Sequence, residues 1–298
     1  MGFLLETLIA GLMAGVLYAL IALGFVLIYK ASGVFNFAQG AMVLFAALTM
    51  ARLQVHMPWP LAFLLAFGLM VVLAWLIERL VLRHLVNQSG VALLMATLGI
   101  AYFLEGLGQL VWGDDIYRID LGLPKQPTVV LSGLIPGGLL LSREDLIATL
   151  AAAMLVALLT LFFQKSDVGR ALRAVADDHQ AAQSIGIPLS RMWLIVWSIA
   201  GLVALVTGMI WGSKLGVQFS LSLIALKGLP VVILGGLTSV PGAIVGGLIV
   251  GLGEKLAEVY LGPMLGGGIE SWFAYLLALG FLLLRPQGLF GERIIDRV

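Results

Sequence analysis

Nine apolar runs, near 7–28, 34–51, 60–77, 91–112, 146–163, 192–212, 220–237, 241–261 and 270–284, leave this chain little choice of solvent. Most reach the ~20 residues that an α-helix needs to cross a hydrocarbon core. Backbone polar groups in lipid must be satisfied within the segment, so such runs fold as helices. Composition agrees: 61% of the 298 residues are hydrophobic and 11% are charged, against about 45–50% and about 25% in soluble domains. The expected fold is all-α, a polytopic membrane protein with eight or nine transmembrane helices and one membrane domain over 1–298. The count turns on 220–237, which is short and carries Lys227 and Pro230. That run is read as a tilted span or a re-entrant segment buried by its neighbours.

Several functions drop out early. There is no cysteine, which removes disulfides, thiolate metal sites and thiol catalysis. His56, His84 and His179 are far apart, so no metal site is expected. The net charge is +1 with no basic stretch, so no nucleic-acid partner is expected. No G-x-x-x-x-G-K-[ST], H-E-x-x-H or G-x-S-x-G occurs. The chain is therefore read as no enzyme, with no catalytic residue and no cofactor of its own. Glu6 is the only charge before Lys30, and the run 7–28 is too long for a signal h-region, so no removable targeting segment is expected.

Lysine and arginine set the expected orientation. Arg79 and Arg83, then Lys165, Arg170, Arg173 and Arg191, then Arg285, Arg293 and Arg297 mark three cytoplasmic stretches. The N-terminus then lies outside and the C-terminus inside, and that parity favours nine crossings. The loop 113–145 falls outside, with acids outnumbering bases and with Pro124, Pro127 and Pro136 against a continuous helix. Its run PTVVLSGLIPGGLLLS predicts a short hairpin, and Ser142 to Asp145 reads as a capping box for the next span. The loop serves as a connector, the commoner role, or as a contact for an external partner or solute.

The longest polar interruption of the second half is 165–191, KSDVGRALRAVADDHQAAQSIGIPLSR. Asp167 is expected to cap a helix beginning at Val168, and alanines keep its side chains small. Gly186 suits a left-handed cap, Pro188 cannot continue the helix, and Ser190 is placed to cap the next span. One or two short helices on the cytoplasmic face follow. They are either a solvated connector or a knob that fits a cleft on a motor subunit.

Within the apolar runs, Gly11 and Gly15, Gly242 and Gly246, and Gly247 and Gly251 form small-xxx-small pairs. Such faces pack helices backbone to backbone, within one subunit or between subunits. Asn36 and Gln39 enter the second run, where they either satisfy backbone freed at Gly33 and Gly40 or mark a pathway. Glu105, Lys214, Lys227, Glu254, Lys255 and Glu258 lie in or beside spans. Snorkelling accounts for most of them.

Four blocks resemble a known family in matching order. Gly169-Arg170-Ala171, Arg173-Ala174, Asp177-Asp178, Ala181-Ala182 and Gly186-Ile187 resemble the coupling segment of LivH-type permeases of branched-chain amino acid ABC importers. The opening run Gly11 to Gly24, the run Gly33 to Gly40, and Gly235 to Gly247 with Arg285 to Phe290 are similar to that family too. The resemblance implies a multi-pass inner-membrane protein that pairs with a homologous LivM-type permease. It implies two cytoplasmic ATPase subunits, holding ATP and Mg, that dock on 165–191, and a periplasmic solute-binding protein that delivers solute. Arg170, Arg173, Asp177, Asp178 and Gly186 become the expected coupling residues, and Asn36, Gln39 and Tyr18 the candidates for the translocation path. Family members handle branched-chain amino acids, urea, amides or aromatic acids. A stand-alone channel or secondary carrier is the competing class.

Overall fold

The computed structural model describes residues 2–33, 35–85, 88–123, 126–130, 138–177 and 179–291. Helices dominate: α1 (Gly2–Ser32), α2 (Gln39–Gln54), α3 (Trp59–Leu80), α4 (Gly90–Trp112), α5 (Arg143–Lys165), α6 (Asp167–Asp177), α7 (His179–Ser184), α8 (Leu189–Leu215), α9 (Leu221–Ile224), α10 (Gly228–Gly235), α11 (Val240–Leu265) and α12 (Phe273–Leu284). Each of the nine apolar runs contains helix. By length and composition six helical stretches suffice to cross a membrane: α1, Trp59–Leu85, α4, α5, α8 and α11. The other three runs are shorter: α2 with 16 residues, the stretch Leu221–Gly235, and α12. The run at 220–237 is helical from Leu221 to Gly235 and tightens to a 3-10 turn at Ala225–Lys227 between α9 and α10. Pro230 falls in the first turn of α10, where its missing N–H costs no intrahelical bond.

The chain forms two compact units. One comprises Met1–Ala22, Gly122–Ala157 and Lys227–Val298, and the other Leu23–Leu121 and Leu158–Leu226. The second unit is built around α2, which is buried from Gln39 through Ala51 by α3, α4, α8 and α9. Small residues permit that crowding. A methyl group on Gly208 of α8 would lie 2.7 Å from the Val43 carbonyl oxygen and 3.0 Å from the Ala47 Cβ. α3 shows the opposite pattern: Ala62, Ala66, Met70 and Leu73 are buried at helical spacing while Leu64, Leu65, Leu69 and Val72 are exposed. An apolar stripe facing outward suits lipid or a partner helix and not water.

In the first unit α1 meets α11 through glycine. A Cβ on Gly15 would sit 2.8 Å from the Gly247 carbonyl oxygen, and one on Gly11 3.0 Å from the Leu252 Cα. Gly242 and Gly246 lie equally close to the backbone of α10. All six paired glycines thus serve contacts inside one unit. The end of α10 is closed by the C-terminal block: the N–H of Leu289 donates to the Leu234 carbonyl at 2.8 Å and that of Phe290 to Gly235 at 3.1 Å. Those carbonyls have no partner inside the helix, so the Arg-Pro-Gln-Gly-Leu-Phe run supplies one.

The loop 113–145 contains the expected hairpin. β1 (Pro127–Val130) pairs antiparallel with β2 (Leu139–Ser142), Pro127 opposite Ser142. The Ser142 hydroxyl accepts from the Asp145 N–H at 3.3 Å, which caps α5 as its spacing predicted. Glu6 accepts from the Leu140 N–H at 2.8 Å, which ties α1 to the hairpin.

Candidate functional site

Among the described residues, three polar clusters bear on function. The first is the 165–191 stretch, which folds as two short helices, α6 and α7, against α8. Leu172, Val175 and Ala182 are buried on its inner side. Its cap differs from expectation. The Ser166 hydroxyl, not Asp167, accepts from the Gly169 N–H at 2.9 Å, so the helix begins one residue earlier. Asp167 stands in the first turn, where a carboxylate favours the helix dipole, and pairs with Arg170. Ser190 also caps nothing: α8 begins at Leu189 with Pro188 as its N-cap residue and no side-chain cap bond. Gly186 has φ +89°. The N–H groups of Gly186 and Ile187 return to the carbonyls of Gln183 and Ala182, which ends α7 as a left-handed cap.

The expected coupling residues divide by what they touch. Arg173 donates to the Phe163 and Gln164 carbonyls at the end of α5 and so pins α6 to that helix. Arg170 and Asp177 are exposed on the outer side. Asp178 lies outside the described residues. Ile185, which sequence reasoning passed over, is 75% exposed beside Gly186 and gives the tip an apolar point.

The second cluster fills the break between α1 and α2. Asn36 and Gln39 are both fully buried. The Asn36 side chain accepts from the Ala38 N–H at 3.1 Å and donates to Gln39 Oε1 at 3.3 Å. Gln39 Nε2 reaches the Ala200 carbonyl of α8 at 3.5 Å. The two amides serve each other and the loosened backbone.

The third cluster, in the first unit, was legible only as scattered charge. Lys227 Nζ donates to Glu254 Oε1 at 2.6 Å and to the Tyr18 hydroxyl at 3.2 Å, and lies 5.4 Å from the Tyr18 ring centroid. Glu254 is 1% exposed in the middle of α11, so snorkelling does not describe it. Lys255 pairs with Glu270, and the Glu258 carboxylate accepts from the N–H groups of Gly268 and Glu270 at 3.0 and 3.1 Å. The charges of this helix are held by partners. Tyr18, a path candidate, is here a buried member of an ion-pair cluster.

Residues 7–285 match the family described as branched-chain amino acid transport system / permease component. The chain belongs to this family. It is similar to the high-affinity branched-chain amino acid transport system permease protein LivH of Escherichia coli K12, at 29% identity over 99% of this chain and 98% of that one. It is similar to BraD of Pseudomonas aeruginosa, at 28% over 99% and 98%. A probable LivH of Methanocaldococcus jannaschii is 30% identical over 92% of this chain and 89% of its own. As a permease of this family, the chain is a multi-pass membrane protein, and both the α6–α7 pair and the Asn36–Gln39 break fall inside the matched span.

Proposed function

We propose that this permease is the transmembrane subunit of an ATP-driven importer that moves branched-chain amino acids, or a related small polar solute such as urea, an amide or an aromatic acid, inward by alternating access. In this reading it pairs with a homologous LivM-type permease and receives solute from a periplasmic binding protein. Two cytoplasmic ATPases, carrying ATP and Mg, dock on 165–191. The N-terminus lies outside and the C-terminus in the cytoplasm. The observation that supports coupling at 165–191 is its build: a two-helix knob, fixed to α5 by Arg173, that offers Arg170, Asp177 and Ile185 outward. A knob so fixed transmits displacement to α5 and α8, which is what linkage between an ATPase site and a solute path requires.

The test is Gly186→Trp in proteoliposomes of the complete complex. Position 186 has φ +89°, a conformation that strains any L side chain. Uptake and solute-stimulated ATP hydrolysis are expected to be lost while membrane insertion is retained. Unchanged uptake by an inserted variant excludes the coupling role. The same vesicles report orientation, because protease reaches 165–191 only from its cytoplasmic side.

A further inference from the structure

We propose that a cavity of about 260 Å³ in the second unit binds a small solute with an ammonium group on an apolar body, with Glu105 as its counter-ion. The importer reading supplies the solute's identity as an amino acid such as leucine. The site itself rests on its walls. One wall is aromatic: Phe25 and Phe35 stack at 4.7 Å, and Phe37 meets Phe35 edge-on at 5.0 Å. The facing wall is α4, with Leu98, Ala101 and Glu105. A volume this small suits a metabolite and not a drug-sized ligand, whose pockets run from about 300 Å³.

Glu105 is the informative group. It stands in an apolar span, and among the described residues it makes no hydrogen bond or ion pair. An acid at membrane depth without a partner is costly and marks function by default. A carboxylate beside aromatic rings is a donor set for an alkylammonium cation. The remaining wall comes from the start of α2 and the α9 turn with its 3-10 continuation. Gly40 and Ala41 of the first turn of α2, and Ser222 and Ala225 around the end of α9, all line the cavity. First-turn amides have no intrahelical acceptor, which leaves donors for a solute carboxylate. Irregular backbone at this depth is tolerated where protein buries it or where it lines a cavity, and Phe35 and Phe37 before α2 and the 3-10 turn at Ala225–Lys227 both border this one. Tyr102 and Leu223, 74% and 61% exposed, flank the cavity. A lipid tail entering between them would leave Glu105 without a counter-ion, so charge favours the solute.

The absence of cysteine makes the test direct, because Ala101→Cys and Leu98→Cys each give this chain a single thiol. Both variants are examined in proteoliposomes of the complete complex. The introduced thiol is expected to react about tenfold faster with 2-aminoethyl methanethiosulfonate than with the neutral methyl reagent, the scale on which a charged cleft concentrates a counter-ion. Millimolar L-leucine should slow that reaction several-fold, and Glu105→Gln should remove the charge preference. Loss of either the preference or the leucine protection at both positions overturns the proposal. Protection by a fatty acid but not by leucine assigns the cavity to acyl chains and overturns it equally. Leucine uptake driven by ATP without protection sinks the site and leaves the importer reading standing. Protection without any ATP-driven uptake keeps the site and sinks the importer reading.

Discussion

Two departures from regular α-helix in this permease carry polar groups and satisfy them with different chemistry. Between α1 and α2, two neutral amides three residues apart, Asn36 and Gln39, exchange a hydrogen bond and take up loose backbone groups nearby. Between α9 and α10, at the 3-10 turn, Lys227 places a cation among apolar helices. Glu254, 27 residues away on α11, neutralises it. The amide solution is local: each group finds its partner within its own turn of chain, and only Gln39 reaches another helix. The ionic solution is non-local and makes one helix depend on another. A buried ion pair adds little over an apolar pair of the same shape, but removing one partner strands a charge. The two sites should therefore differ less in what they contribute than in how they fail.

The largest expected effect follows from that asymmetry. Lys227→Met leaves the Glu254 carboxylate buried without its cation, which costs on the order of 3–5 kcal/mol. Lys227→Met with Glu254→Leu should recover most of the loss. The check is the unfolding midpoint of single and double variants in mixed micelles. Equal destabilisation of both would mean that the pair does not carry the join between α10 and α11.

At the amide break the failure is steric and smaller. A methyl group on Gly24 would sit 2.6 Å from Gln39 Nε2, and Gln39 is fully buried with nowhere to withdraw. Gly24→Ala should cost about 1–3 kcal/mol, the usual range for overpacking. Gln39→Ala in the same chain should relieve part of it, because residues in contact are not additive. A double-mutant cycle in the same micelles reads the coupling, and simple additivity would separate the break from Gly24.

Legibility followed the range of each interaction. Helix positions came from apolar runs, and the Ser142 and Gly186 caps from residue types within a few positions of their targets. The 3-10 turn at Ala225–Lys227 was half visible, because Lys227 and Pro230 marked a defect without saying where the helix would tighten. The partner of Glu254 was illegible because it is 27 residues away, and spacing within one helix says nothing of a cation on another. The cap at Ser166 shows a finer limit: two adjacent residues both suit the role, and the hydroxyl next to the α5 end took it. The aromatic cavity by Glu105 draws on α1, α2, α4 and α9, so no single stretch announced it.

The smallest effect on stability sharpens the contrast with Lys227 and Glu254 by moving the same charges into water. Arg170 and Asp167 pair with side chains 64% and 87% exposed. Exposed pairs of this kind contribute roughly 0–1 kcal/mol, so Arg170→Ala should barely shift the unfolding midpoint. Arg173, a few positions on, donates to the last carbonyls of α5, and its loss should cost about 1 kcal/mol. The two substitutions delete the same charge from the same helix and differ in what that charge holds. If Arg170 contacts an ATPase, Arg170→Ala lowers solute-stimulated ATP hydrolysis with the midpoint unchanged, whereas Arg173→Ala moves both. Unaltered hydrolysis in a fully assembled Arg170→Ala complex would leave the exposed arginine without a coupling role and shift attention to Asp177 and the Ile185 tip.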